Sequence, residues 1–162
     1  MWEYMNIEKM TGLEKMQAIV REELPHPTMT ESIPVKVMKV EKGKVVFNAI
    51  ANNKHLNTQC GVHGGFASTV IDSVTGCAVH TLLGACVAYG TIDLNIKMIR
   101  PVPKDENLIA EGNVNQNLWK KFMDLIDGPP RIIFPELFNL EIRQLVKLQP
   151  SLYSHSLEWL NN

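Results

Sequence analysis

Apolar residues along this chain fall into two rhythms, one with spacings of three and four and one that alternates. Ile7, Met10, Leu13, Met16, Ile19 and Val20 keep helical spacing among charged residues, and Pro25 and Pro27 stop the pattern after Leu24. A surface helix is predicted over 7–24. Val35, Val37 and Val40, then Val45, Phe47 and Ile50, flank Glu41-Lys42-Gly43-Lys44, which predicts two strands joined by a tight turn. From Gly64 to about Leu83, Ala67, Ile71, Val74, Ala78 and Leu82 recur at spacings of four, three, four and four, the mark of one long core helix. Ile92, Leu94, Ile96 and Met98 then alternate with Thr91, Asp93, Asn95 and Lys97, predicting a strand that Pro101 and Pro103 close. Leu108 to Val114 predicts a further strand. Beyond it, Asn117 to Ile126 and Glu136 to Leu148 read as amphipathic helices, separated by Gly128-Pro129-Pro130 and the short run Arg131 to Phe134. The mixture is α+β.

At 162 residues and 45% hydrophobic, the chain suits one domain with its own core. Sixteen basic against 17 acidic side chains give a net charge of -1, so neither nucleic acid nor an anionic membrane surface is an expected partner. A small molecule is. Cys60, Cys77 and Cys86 are odd in number and lack C-x-x-C spacing, which fits a reducing cytoplasm. The first residues show no basic stretch followed by an apolar core, so a secretory leader is not expected. Ser73 to Ile92 is free of charged side chains over a length that could span a bilayer, but Gly76, His80, Gly84, Gly90 and several Thr interrupt it.

The candidate chemistry lies between Asn57 and Asp72. His63-Gly64-Gly65 opens into the long helix, and glycines at a helix start leave first-turn amides open to a ligand oxygen. The loop is a candidate oxyanion hole for thioester hydrolysis. Between Lys54 and Lys97 the only acids are Asp72 and Asp93, and Asp72 sits among Val70, Ile71 and Val74. A carboxylate there suits a general base or a nucleophile; alternatively it faces water or bonds Ser68, Thr69 or Thr75. Eight residues of helix separate Gly64 from Asp72, roughly 12 Å at ~1.5 Å per residue. One protomer therefore cannot aim both at one carbonyl, whereas two copies packing these helices antiparallel could, which leads to a homodimer.

Asn57 could give a side-chain N–H to the substrate carbonyl, or brace its own turn. His63 could orient that loop, or cap backbone groups at the helix start, and is expected to position rather than to carry a proton. Thr91 could hold the attacking water, or be an ordinary strand residue. Lys97 and Arg100, with Lys104, could meet coenzyme A phosphates, or form a solvated edge. His26, His55, His80 and His155 show no ligand spacing, so no metal is expected. No Gly-rich phosphate fingerprint or G-x-S-x-G elbow appears.

These residues resemble the hotdog-fold acyl-CoA thioesterases, in particular the phenylacetate-degradation type within the 4-hydroxybenzoyl-CoA thioesterase superfamily. The resemblance spans about Leu13 to Val114. It rests on Asn57 six residues before His63-Gly64-Gly65, on Asp72 nine residues after that His, and on Thr91-Ile92-Asp93-Leu94-Asn95-Ile96 followed by Arg100-Pro101. It implies a long central helix wrapped by a curved antiparallel sheet, in dimers or tetramers with sites across the subunit interface. Asn57, His63 and Gly64, with Gly65 beside them, would come from one subunit, and Asp72 and the Thr91 hydroxyl from the other. The substrate implied is an acyl-CoA, with no metal or redox cofactor. After Val114 the family continues with two strands that lie between the strands matching 108–114 and 91–98. This chain does not match there. Residues 1–114 thus read as a thioesterase-like domain, incomplete relative to the family, and 115–162 as an atypical, helical tail. The second expectation is a non-catalytic acyl-CoA-binding or assembly subunit; a hotdog dehydratase using His63 as base is a third.

Overall fold

The structure, a computed structural model, describes residues 7–91 and 94–115. The predicted first helix is shorter than its apolar spacing. Residues Ile7–Lys9 form a separate 3-10 turn, and helix α1 runs Gly12–Val20. Thr11 starts α1 with a capping box: its hydroxyl accepts from the Glu14 amide at 3.3 Å, and the Glu14 carboxylate accepts from the Thr11 amide at 2.7 Å. After Val20 the chain turns back through Glu22, at φ 61, and the Leu24 amide reaches the Ala18 carbonyl. Local capping therefore sets both ends, inside the limits that apolar spacing and the prolines suggest. A four-residue helix, α2, follows at Met29–Ser32.

Strands β1 (Val35–Glu41) and β2 (Lys44–Ile50) form the expected hairpin, closed where Glu41 pairs with Lys44 and irregular between Val37 and Lys39. Strand β3 (Asn107–Asn113) runs antiparallel to β2, giving the order β1-β2-β3. Alternation places Val45, Phe47 and Ala49 of β2 and Leu108 and Ala110 of β3 on the buried face. Helix α3 (Gly64–His80) lies on that face and buries Phe66, Val70, Val74 and Ala78, so residues at helical spacing meet residues at strand spacing. The approach is close at Gly112, where a Cβ would stand 2.4 Å from the Val74 carbonyl oxygen. Any larger residue there would push the helix off the sheet.

The strand expected over 91–98 is not formed by its described residues. Thr91 and residues 94–99 are not in a strand, and Ile92 and Asp93 lie outside the described residues. An alternating pattern yields a strand only where a neighbour supplies the ladder, and no strand pairs with this segment among the described residues. Its exposed apolar side chains, Leu94, Met98 and Ile99, show the cost; Ile99 is 88% exposed. The outer edge of β3 also has no strand beside it among the described residues. The predicted helices at 117–126 and 136–148, and the 131–134 run, lie outside the described residues. No helix among the described residues is long and apolar enough to cross a membrane.

Candidate functional site

The loop before α3 is held from both sides. Buried His55 donates from Nε2 to the Ser32 carbonyl at 2.8 Å, accepts from the Asn52 amide at Nδ1 at 2.9 Å, and stacks at 4.7 Å from Phe66. Its carbonyl then takes the His63 amide at 2.8 Å. Between these points Asn57 closes a turn: its backbone N–H reaches the Gly61 carbonyl at 2.8 Å, and its Oδ1 accepts from the amides of Gln59 at 2.9 Å and Gly61 at 3.1 Å. Cys60, at φ 62, bends the backbone enough for this. The Asn57 side chain thus braces its own turn, and its carbonyl end is committed. Its Nδ2 donors are bonded to none of the described groups.

His63 has extended backbone, φ -65 and ψ 134, and caps α3 through Nδ1, which accepts from the Gly65 amide at 2.8 Å. A Cβ on Gly65 would come 2.8 Å from that nitrogen, so glycine permits the cap. The two glycines therefore differ. Gly65 has its N–H taken, while the exposed Gly64 has an N–H with no partner among the described residues. That amide sits at the positive end of a 17-residue helix, where a developing oxyanion is favoured.

Asp72 lies two turns further on and is half-buried. The local hydroxyls are occupied elsewhere: Ser68 and Thr69 donate to the carbonyls of Gly64 and Gly65, and Thr75 to those of Ile71 and Asp72. Instead the carboxylate Oδ1 accepts from the Thr91 hydroxyl at 2.6 Å, across 19 residues of sequence. Thr91 thus reaches Asp72 without belonging to a strand. Both border a cavity of about 280 Å³, walled by Met16 and Ile19 of α1, Val37 of β1, Phe47 of β2, and Gly76 and Cys77 of α3.

Sequence reasoning missed Tyr89, Cys77 and His26 at this cavity. Gly76 stands four residues after Asp72, a spacing that places it on the same face of the helix and that could have pointed to this wall of the cavity. Burial pushes the Cys77 thiol from its ordinary 9.0 up to about 11 and raises the Tyr89 phenol as well. Lys97 and Arg100 are exposed and make no ion pair among the described residues, whereas Lys104 bonds Asn53 at 2.9 Å. No three His, Cys, Asp or Glu side chains gather as a metal site among the described residues.

Residues 61–117 match the thioesterase superfamily model. A region of 55 residues is 47% identical to a protein named as a candidate esterase from Halobacterium salinarum, covering 33% of this chain and 35% of that protein. The match therefore spans about a third of the curated relative. The fold is similar to that of a candidate thioesterase related to phenylacetic acid degradation from Ralstonia eutropha JMP134 (TM-score 0.57, 22% identity, 62% of this chain and 76% of that one). The chain resembles the thioesterase superfamily and has its hotdog fold. A thioesterase family protein from Silicibacter pomeroyi is similar as well, with a TM-score of 0.55 and 18% identity over 62% of this chain and 73% of that one. The family model covers Gly64, Asp72 and Thr91 and starts after Asn57.

Proposed function

We propose that this chain is an acyl-CoA thioesterase that works as a homodimer or higher homo-oligomer. The observation that supports this most is the 2.6 Å bond from Thr91 to Asp72 at the border of an apolar cavity, on the helix whose first amide is free. Thr91 fixes one carboxylate oxygen and leaves the other for water or for direct attack. The acyl group would lie in the cavity, and the Gly64 amide of a second copy would take the carbonyl oxygen, with Asn57 Nδ2 beside it. Eight helical residues hold that amide ~12 Å from Asp72 within one copy, which is why a second is needed.

In the base form of the mechanism, Asp72 takes a proton from water as its oxygen bonds the carbonyl carbon. The C–S bond then breaks, and the proton passes to the departing coenzyme A sulfur. His63 positions the loop through its cap on Gly65, and Lys97 and Arg100 would meet the coenzyme A phosphates. The reading uses no metal or redox cofactor. It takes residues up to about 114 as the thioesterase-like domain, and the three free cysteines suit the cytoplasm.

Thiol release from a panel of acyl-CoAs tests the proposal, with Asp72→Asn expected to bind substrate and not turn it over. A second reading, a non-catalytic acyl-CoA-binding subunit, draws on residues 94–99 and the outer edge of β3, which have no strand beside them among the described residues. Binding without turnover by the unaltered protein would favour it.

A further inference from the structure

Tyr89 stands where the helix face running from Asp72 meets the cavity. Gly76 is one helical turn beyond Asp72, and a Cβ built on it would lie 2.9 Å from Tyr89 Cε2 and 3.1 Å from its Oη. Only a hydrogen at that position lets the phenol edge rest on the helix. The ring has two further neighbours, and its segment is anchored nearby. Thr91, two residues on, is tied to Asp72. His80 lies 5.4 Å away, ring to ring, and the cavity wall includes Cys77 beside the hydroxyl. Tyr89 thus borders the cavity although 37% of its surface is exposed.

We propose that Tyr89, seated on Gly76, is the stop that sets how long an acyl chain the cavity accepts. The inference rests on the acyl-CoA reading above and deepens it. An acyl carbon attacked beside Asp72 starts a chain that follows the helix face. Four residues of helix advance ~6 Å, and an extended chain covers ~1.2 Å per bond, so about five bonds bring it to the phenol. Chains shorter than this gain contact with each methylene, and longer ones must displace the ring.

Binding of S-alkyl coenzyme A thioethers of increasing length, followed by calorimetry, tests this without requiring turnover. With the unaltered protein, affinity should rise about fourfold per methylene up to about five bonds and then level or fall. Tyr89→Ala should extend the rise by two or more methylenes, about 16-fold or more in affinity for those chains. Tyr89→Phe keeps the ring and should keep the cut-off. Gly76→Ala should shift the cut-off in the Tyr89 background and leave it unmoved in the Tyr89→Ala background, because its effect acts through the ring.

An unchanged length profile in Tyr89→Ala, or no thioether bound at all, overturns the proposal. Length-dependent binding that responds to Tyr89 while no acyl-CoA is hydrolysed supports the stop and defeats the thioesterase reading instead.

Discussion

The two halves of the site differ in how they are held, although both depend on α3. At its start, the turn at 57–61, the cap of His63 on Gly65 and the anchor at His55 form a bonded unit that leaves the Gly64 amide without a partner among the described residues. Further along, Asp72 is met by Thr91, whose segment contributes no ladder hydrogen bonds among the described residues and reaches the helix through side chains. A donor can therefore be fixed by local sequence, while the acid depends on a long-range contact. The first half should tolerate change only where its own bonds survive, and the second should respond to small changes in the segment after α3.

Asp72→Asn should separate the halves most, lowering kcat by about 10³-fold while the loop and its free amide stay intact. Retained acyl-CoA affinity in the same variant would place the loss in chemistry. Gly64→Pro is the matching change in the first half. Proline is accepted at the first helical position, and the extended His63 before it already has the required backbone, so only the N–H is lost. Turnover should fall by about 10²-fold with the melting temperature nearly unchanged. A full rate would remove Gly64 from the site.

Thr91→Val probes the weaker attachment of the second half. Losing one hydrogen bond to a carboxylate should cost about tenfold in kcat, with Thr91→Ser restoring most of it. An unaffected rate would mean that the 2.6 Å bond does not position the acid. The smallest effect concerns stability. The Cys77 thiol is raised by burial, so folding gains from its protonated form below about 9, and this is lost as pH rises toward about 11. Denaturant unfolding should show a loss on the order of 2 kcal/mol across that interval, reduced in Cys77→Ala to the part that the raised Tyr89 phenol contributes above about 10.

Spacing alone placed the hairpin, β3 and α3, because each pattern found the partner it needed: Val45, Phe47 and Ala49 face Val70 and Val74. The pattern of Ile92 to Met98 was as regular, yet its described residues, 94–98, form no strand, since alternation marks a face and cannot supply a neighbour. In the site, Gly64 was legible from its place at a helix start, and Asp72 from its isolation among apolar residues. The Asn57 and His63 alternatives needed coordinates, because an amide or imidazole near a turn can bond its own backbone or a ligand with equal ease. Tyr89 was hidden because its significance comes from contact with Gly76, 13 residues earlier, which no local rhythm encodes.

Subunit complementation tests most directly whether the two halves meet between copies. Gly64→Pro and Asp72→Asn chains, each inactive alone, are mixed in equal amounts, unfolded and refolded together. If Gly64 of one copy serves Asp72 of another, half the dimers are mixed and each has one intact site, so about a quarter of the unaltered activity should return. A mixture no more active than its two parents would contradict the account.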